Sequence, residues 1–225
     1  MRHLTEIGFV WKIHRRTDEQ NIPLRPAYTI SNRAKKYLEE SGHIPLPARE
    51  PSPFMLDHAL AINDVLILVD LLCRHQPERF KLLHLAHDRD LRSRKLNLPL
   101  VPDGFFEIAD IKLSKSYPTL LEVDLATEER VRWQEKIEKY LQIFGKEAKR
   151  VFDFPHPDVL CLTKADHVQE LKKWTEVVIK QQAFEGHEQL FYFAALPNGT
   201  RLNDFFFTAR FLQGGSTQST QLFSP

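Results

Sequence analysis

The sequence predicts an α/β protein. Three observations point there: a long segment with apolar residues at helical spacing between Met55 and Arg74, a series of short apolar runs of strand length, and two further helical stripes interleaved with those runs. With 225 residues and 42% hydrophobic content, the chain can bury one core of ordinary size and carry a small appended module.

The front of the chain is the module. Arg2 to Ile7 reads as the end of a helix that stops at Gly8, followed by a strand over Phe9-Val-Trp-Lys-Ile-His, a polar turn, and a second strand near Ala27-Tyr-Thr-Ile. Ser31 can then cap a helix. A helix end, a two-stranded ribbon and a helix, in that order, make the back half of a winged helix, so residues 1–44 are expected to form a partial winged-helix module. Residues 45–54 are expected to be a linker, because the run Pro45-Leu-Pro-Ala-Arg-Glu-Pro-Ser-Pro places four prolines where neither a helix nor a central strand can accept them.

Residues 55–211 form the main domain in this reading. Leu60, Val65, Leu68, Val69 and Leu72 define its first helix, and Phe80 to Leu85 suits a strand. The charged stretch His87 to Leu96 is helical or irregular. Val101-Pro-Asp-Gly-Phe-Phe-Glu-Ile and Thr119-Leu-Leu-Glu-Val-Asp-Leu fit two strands of a hairpin. Ala126 to Lys146 is the most regular helix, its stripe formed by Trp133, Ile137, Tyr140, Leu141 and Phe144. A buried strand at Asp158 to Thr163, a helix at Lys164 to Lys180 and a strand at Gln189 to Leu196 follow, giving the order αβββαβαβ. Phe205-Phe-Phe reads as a buried terminal strand. Residues 212–225, dominated by Gly, Ser, Thr and Gln, are expected to form a flexible tail.

Charge and cysteine content narrow the function classes. Residues 1–49 hold nine Lys/Arg against five Asp/Glu, and the remainder holds 22 against 25, so a formal net charge of +1 conceals a basic front. Cys73 and Cys161 sit in apolar runs, where reduced thiols behave as small hydrophobes, and no disulfide framework is indicated. The first residues lack the apolar stretch of a secretory signal, and no run approaches a membrane span. A cytoplasmic address with no membrane partner is expected.

Three carboxylates stand out as candidate chemistry. Glu122 and Asp124 are two apart on one strand and so share a face, while Leu121, Val123 and Leu125 take the other. The hairpin partner can bring Asp103 within reach. Clustered carboxylates repel unless a hard cation lies among them, so Mg²⁺ held by Asp103, Glu122 and Asp124 is the expected cofactor, able to activate water against a phosphodiester. On the following helix, Lys136 lies on a flank of the apolar stripe from which its side chain can reach the strand edge. On the ribbon, Lys12, Arg15, Arg16 and Arg25 suit phosphate contacts, which makes DNA the expected partner. His84 and His87 with Asp88 have no matching Cys or His cluster downstream and are not expected to bind metal.

Val101-Pro-Asp-Gly-Phe-Phe, Leu121-Glu-Val-Asp-Leu-Ala-Thr-Glu-Glu and Lys136-Ile-Glu-Lys-Tyr-Leu, in this order and spacing, resemble the replication-relaxation family of plasmid and mobile-element proteins. Gly8-Phe-Val-Trp-Lys-Ile, Tyr28-Thr-Ile-Ser and His58-Ala-Leu-Ala-Ile-Asn-Asp-Val resemble its front half. That family in turn resembles the PD-(D/E)xK nucleases, which implies a mixed sheet flanked by helices, with Asp103 as the first metal-binding acid and Glu122 as the second. Asp124 stands where those nucleases carry a lysine. The resemblance therefore leaves two routes to a working site, Lys136 supplying the missing charge or Asp124 serving as a further ligand, with His58 in an accessory role.

Three functions stay open on the sequence: a metal-dependent DNA endonuclease or nicking accessory in plasmid or mobile-element replication, a non-catalytic DNA-binding scaffold with a degenerate site, and an assembly subunit that contacts only replication or mobilisation proteins.

Overall fold

The computed structural model describes residues 10–13, 27–41, 53–93, 97–182, 184, 186–197, 205–208 and 211–223. The chain divides into two compact units, Met1–Asp57 and His58–Pro225.

In the first unit, β1 (Val10–Ile13) pairs antiparallel with β2 (Ala27–Ile30). Helix α1 (Asn32–Glu40) follows directly. Its start is fixed as the sequence predicts: the Ser31 hydroxyl accepts the Ala34 N–H at 3.1 Å, satisfying one of the donors that a first helical turn leaves open. The predicted helix end at Arg2–Ile7 and the polar turn between the strands lie outside the described residues. So does the proline-rich linker, except for Pro53 and Phe54, which open the next helix.

The larger unit is a mixed seven-stranded sheet flanked by helices. After α2 (Pro53–His75) come β3 (Phe80–His87), the short α3 (Asp88–Ser93), β4 (Gly104–Asp110) and β5 (Lys115–Val123). Then follow α4 (Arg130–Ile143), α5 (Lys146–Phe152), β6 (Asp158–Thr163), α6 (Val168–Gln181) and β7 (Phe191–Ala195). The chain ends in α7 (Phe205–Thr208), β8 (Phe211–Gln213) and β9 (Ser219–Thr220). Spatial order equals sequence order from β3 to β9. β3, β4 and β5 form an antiparallel meander, β5, β6 and β7 run parallel through helical crossovers, and β7, β8 and β9 are antiparallel again.

Each face of the sheet has its own core. On one, α2 lays Val65, Leu68, Val69 and Leu72 against Phe106, Ile108, Leu121, Leu160 and Leu162. On the other, Trp133, Ile137 and Tyr140 of α4 and Leu171 and Val178 of α6 cover Phe105, Leu120, Val159, Cys161 and Phe193. Adjacent residues such as Phe105 and Phe106 serve opposite cores, which is why these strands read as continuous apolar runs. Trp133 Nε1 donates to the Thr175 hydroxyl at 3.0 Å and locks α4 to α6. Cys73 and Cys161 are buried free thiols, and burial pushes both upward, Cys73 to about 11.

Three sequence expectations are corrected. The helix predicted over Ala126–Lys146 begins only at Arg130, since Ala126 is left-handed (φ 59°), and it ends at Ile143, where Gly145 (φ 87°) turns the chain into α5. Phe205-Phe-Phe lies in the short helix α7, and the strand pairing with β7 is Phe211–Gln213. The expected tail is not free: it contributes the end of β8 and all of β9, and Leu222 and Phe223 are buried. Phe223 sits 5.2 Å edge-on from Tyr117 and 5.4 Å from Phe80. One such ring removed from water contributes about 1.5–3 kcal/mol, which a reading of average composition overlooks.

Candidate functional site

Four of the five predicted site residues converge at the carboxyl end of β5. Glu122 shares the face of Leu120, so its side chain enters the core beneath α4, where it is 2% exposed. There Lys136 Nζ donates to Glu122 Oε2 at 3.0 Å, and the Tyr140 hydroxyl donates to Oε1 at 2.5 Å. Lys136 and Tyr140 are four apart on α4, one turn above one another. The ammonium also donates to Glu128 Oε1 at 2.6 Å, on the segment leading into α4.

Asp103, just before β4, reaches the same strand from the other side. Its Oδ2 accepts the backbone N–H of Val123 at 2.9 Å and lies 3.3 Å from His58 Nε2 on α2. The same imidazole nitrogen donates to the Val123 carbonyl at 2.8 Å. Asp103 is itself anchored through its carbonyl, which accepts the Asp88 N–H at 2.9 Å. Val123, the last residue of β5, is thus clasped at both its backbone groups by an acid and a histidine.

The charges respond to this crowding. Burial, reinforced by the Asp103 carboxylate and opposed by Lys136, raises Glu122 well above the ordinary carboxylate range. Burial alone would lower the Lys136 ammonium, but Glu122 and Glu128 outweigh it and hold the charge firmly in place. The hydrogen bond to Asp103 outweighs desolvation and raises His58 to about 8. Tyr140 is driven upward by burial and by Glu122, so it remains a donor.

Asp124 is elsewhere employed. Standing one residue past the strand, it accepts the N–H groups of Thr127 (3.1 Å) and Glu128 (3.3 Å) through Oδ1, and the Thr163 hydroxyl approaches Oδ2 at 3.5 Å. His167 Nε2 lies 3.7 Å from the same Oδ2. These bonds build the turn that launches α4, the usual work of an Asp at such a place.

The expected Mg²⁺ finds no matching donor set. Among the described residues, no group of three or more His, Cys, Asp or Glu is arranged to hold a metal ion. Both oxygens of Glu122 and one of Asp103 already accept hydrogen bonds from the chain, Asp124 is bound into its turn, and the Val123 carbonyl is taken by His58. The trio therefore does not share one cation pocket in this structure.

Of the DNA-contacting candidates, Lys12 lies on β1, and Arg15, Arg16 and Arg25 lie outside the described residues. Tyr140 and Glu128 are site residues that sequence reasoning misses. Tyr140 counts there as a member of an apolar stripe, although its i,i+4 spacing from Lys136 carries the signal. No helix among the described residues is long and apolar enough to cross a membrane.

Fold and site together define an α/β protein whose acidic cluster, at the end of a central strand, is neutralised from within. The chain belongs to the replication-relaxation family, whose family model matches residues 1–153, from the first unit through α5. No curated protein and no solved structure matches the chain.

Proposed function

We propose that this chain is a DNA-binding protein of plasmid or mobile-element replication or mobilisation, and that its larger unit is a nuclease-like scaffold that does not cleave. The observation that carries the second half is that each oxygen of Glu122 accepts a hydrogen bond, from Lys136 and Tyr140, beside an Asp103 already engaged by Val123 and His58. A catalytic acid must offer lone pairs to a metal or a reacting atom. Here both oxygens of Glu122 and one of Asp103 accept internal hydrogen bonds, and the groups tie α2, β4, β5 and α4 together. Family membership and the basic balance of residues 1–49 support the first half. The DNA contacts fall to Lys12, Arg15, Arg16 and Arg25 in the partial winged helix, with replication or mobilisation proteins as further partners.

The test is binding and cleavage on one preparation. Fluorescence anisotropy with a short duplex should show affinity falling with salt, and replacing the four basic residues by Ala should flatten that dependence by about one unit of slope for each phosphate no longer neutralised. Supercoiled and single-stranded DNA should remain intact with Mg²⁺ or Mn²⁺. Absence of duplex binding at low salt removes the first half, and metal-dependent nicking that disappears in Glu122→Gln removes the second.

A metal-dependent nuclease is the second reading, favoured by the approach of Lys136 to Glu122 from the helix rather than from the strand. It requires a cation to displace Lys136, Tyr140 or His58 from the acids they now hold.

A further inference from the structure

A groove of about 470 Å³ lies between the start of α4 and the outer face of α6, lined by Arg130, Gln169, Glu170, Lys173, Trp174 and Val177. The α6 residues fall at positions one and two turns apart, so they make a continuous stripe. Trp174 is half buried: it packs on the inner core and meets His167 edge-on at 5.4 Å, which fixes its indole while leaving part of it in the groove. Arg130 and Lys173 are exposed and make no ion pair among the described residues. Glu170, the acid of the lining, is engaged by His167 Nδ1 at 2.8 Å.

Some helix cations here find an acid three or four residues away, as Lys172 does with Glu176 and Arg150 with Glu147. Arg130 and Lys173 make no such pair and flank an aromatic side chain, with Glu170 on the same lining turned to His167. An aromatic ring beside unpaired cations is the arrangement that receives an unstacked base and its phosphate. Bases within a duplex have both faces covered and cannot stack on a protein ring. The occupant suited by the chemistry is therefore a single strand.

We infer that the Arg130–Lys173–Trp174 groove binds single-stranded nucleic acid, a base stacking on Trp174 and the neighbouring phosphates lying against Arg130 and Lys173. The inference rests on the DNA-binding reading above and adds to it a second contact, separate from the basic residues of the first unit and specific for unpaired strands.

The test uses the full chain with a thymine homopolymer and, in parallel, a duplex of equal length, both followed by fluorescence anisotropy across a salt series. Trp174→Ala should weaken single-strand binding by about tenfold, within the range measured for loss of one stacked base, and Trp174→Phe should retain most of it. The double variant Arg130→Ala/Lys173→Ala should reduce the single-strand salt slope by about 0.7 for each phosphate no longer neutralised. Duplex affinity should stay near wild type in every case. Because Arg130 and Lys173 are exposed, the double variant decides the matter even if Trp174→Ala fails to fold. Unchanged single-strand affinity in the double variant overturns the inference, as does a wild-type protein that binds duplex but no single strand, and this second result leaves the proposed function standing. Failure to bind either form overturns both.

Discussion

Lys136, rising from α4, donates to Glu122 on β5 at 3.0 Å and to Glu128 at 2.6 Å, so one buried ammonium holds a strand acid and a loop acid together. Its side chain is 17% exposed and that of Glu122 only 2%. Such a pair gains little net stability over an apolar replacement, but breaking one half leaves a charge without a partner. Lys136→Met is expected to destabilise the fold by about 3 kcal/mol in urea unfolding, and Glu122→Leu by less, because Lys136 keeps its bond to Glu128. The double variant should recover part of the Lys136→Met loss, since Glu122 is no longer stranded while Glu128 still is. Additive single losses would show that the two residues act independently.

His58 gives the site a pH dependence. Its pKa is raised to about 8 from an ordinary value of 6.5, chiefly through its hydrogen bond to Asp103. A raised folded-state value means that the stabilisation is fully present below pH 6.5 and is lost as pH rises through about 8. The loss over that window is well under about 2 kcal/mol, since each pKa unit is worth about 1.4 kcal/mol and solvent screens the partly exposed imidazole. Chemical denaturation of the wild type at a series of pH values should show this decline, and His58→Gln should flatten it. An equally steep decline in His58→Gln would assign the effect to another group.

Much of this arrangement is legible in the sequence, and the misses share a cause. Periodicity places β5, puts Glu122 on an inward face and puts Lys136 on the flank of α4 from which it reaches that strand. It fails at Asp124, because two-residue alternation holds only while the strand lasts, and β5 ends at Val123. One residue later the carboxylate folds into the Thr127–Glu128 turn rather than standing beside Glu122. Tyr140 is hidden by its own ring, which serves the stripe while its hydroxyl serves the site. The expectation of a shared cation follows from repulsion among acids, yet the chain supplies its own cations from α2 and α4. Those contacts span 45 residues between His58 and Asp103 and lie beyond local pattern.

Asp124 offers a direct comparison of a turn-building role with a ligand role. Its Oδ1 accepts two backbone N–H groups ahead of α4. Asp124→Ala removes the acceptor of both bonds and should cost about 1–2 kcal/mol, the range for loss of a helix-start cap. Asp124→Asn keeps a carbonyl oxygen in place and should cost well under half of that. Thermal unfolding of the two variants, with and without Mn²⁺, makes the distinction. Equal losses in Asn and Ala, or a Mn²⁺ stabilisation of the wild type that Asn abolishes, would restore Asp124 as a metal ligand.

The C-terminal strands hang on Gly214. Its N–H donates to the Phe191 carbonyl at 2.9 Å, and it lies so close to the chain around Glu188 that an added Cβ would stand 2.2 Å from that residue's carbonyl oxygen. Backbone cannot yield as a flexible side chain would, so the turn must move. Since β8 and β9 pair through only a few residues, the movement should release the segment from Phe211 onward and expose Phe223, whose ring packs against Phe80, Tyr117 and Phe206. Gly214→Ala is expected to lower stability by about 2–4 kcal/mol, the scale of a strained close contact combined with partial loss of a buried aromatic. Hydrogen exchange should lose protection across residues 211–220 while β5 and β6 keep theirs. If exchange in β8 is unchanged, the C-terminal pairing does not depend on this close approach.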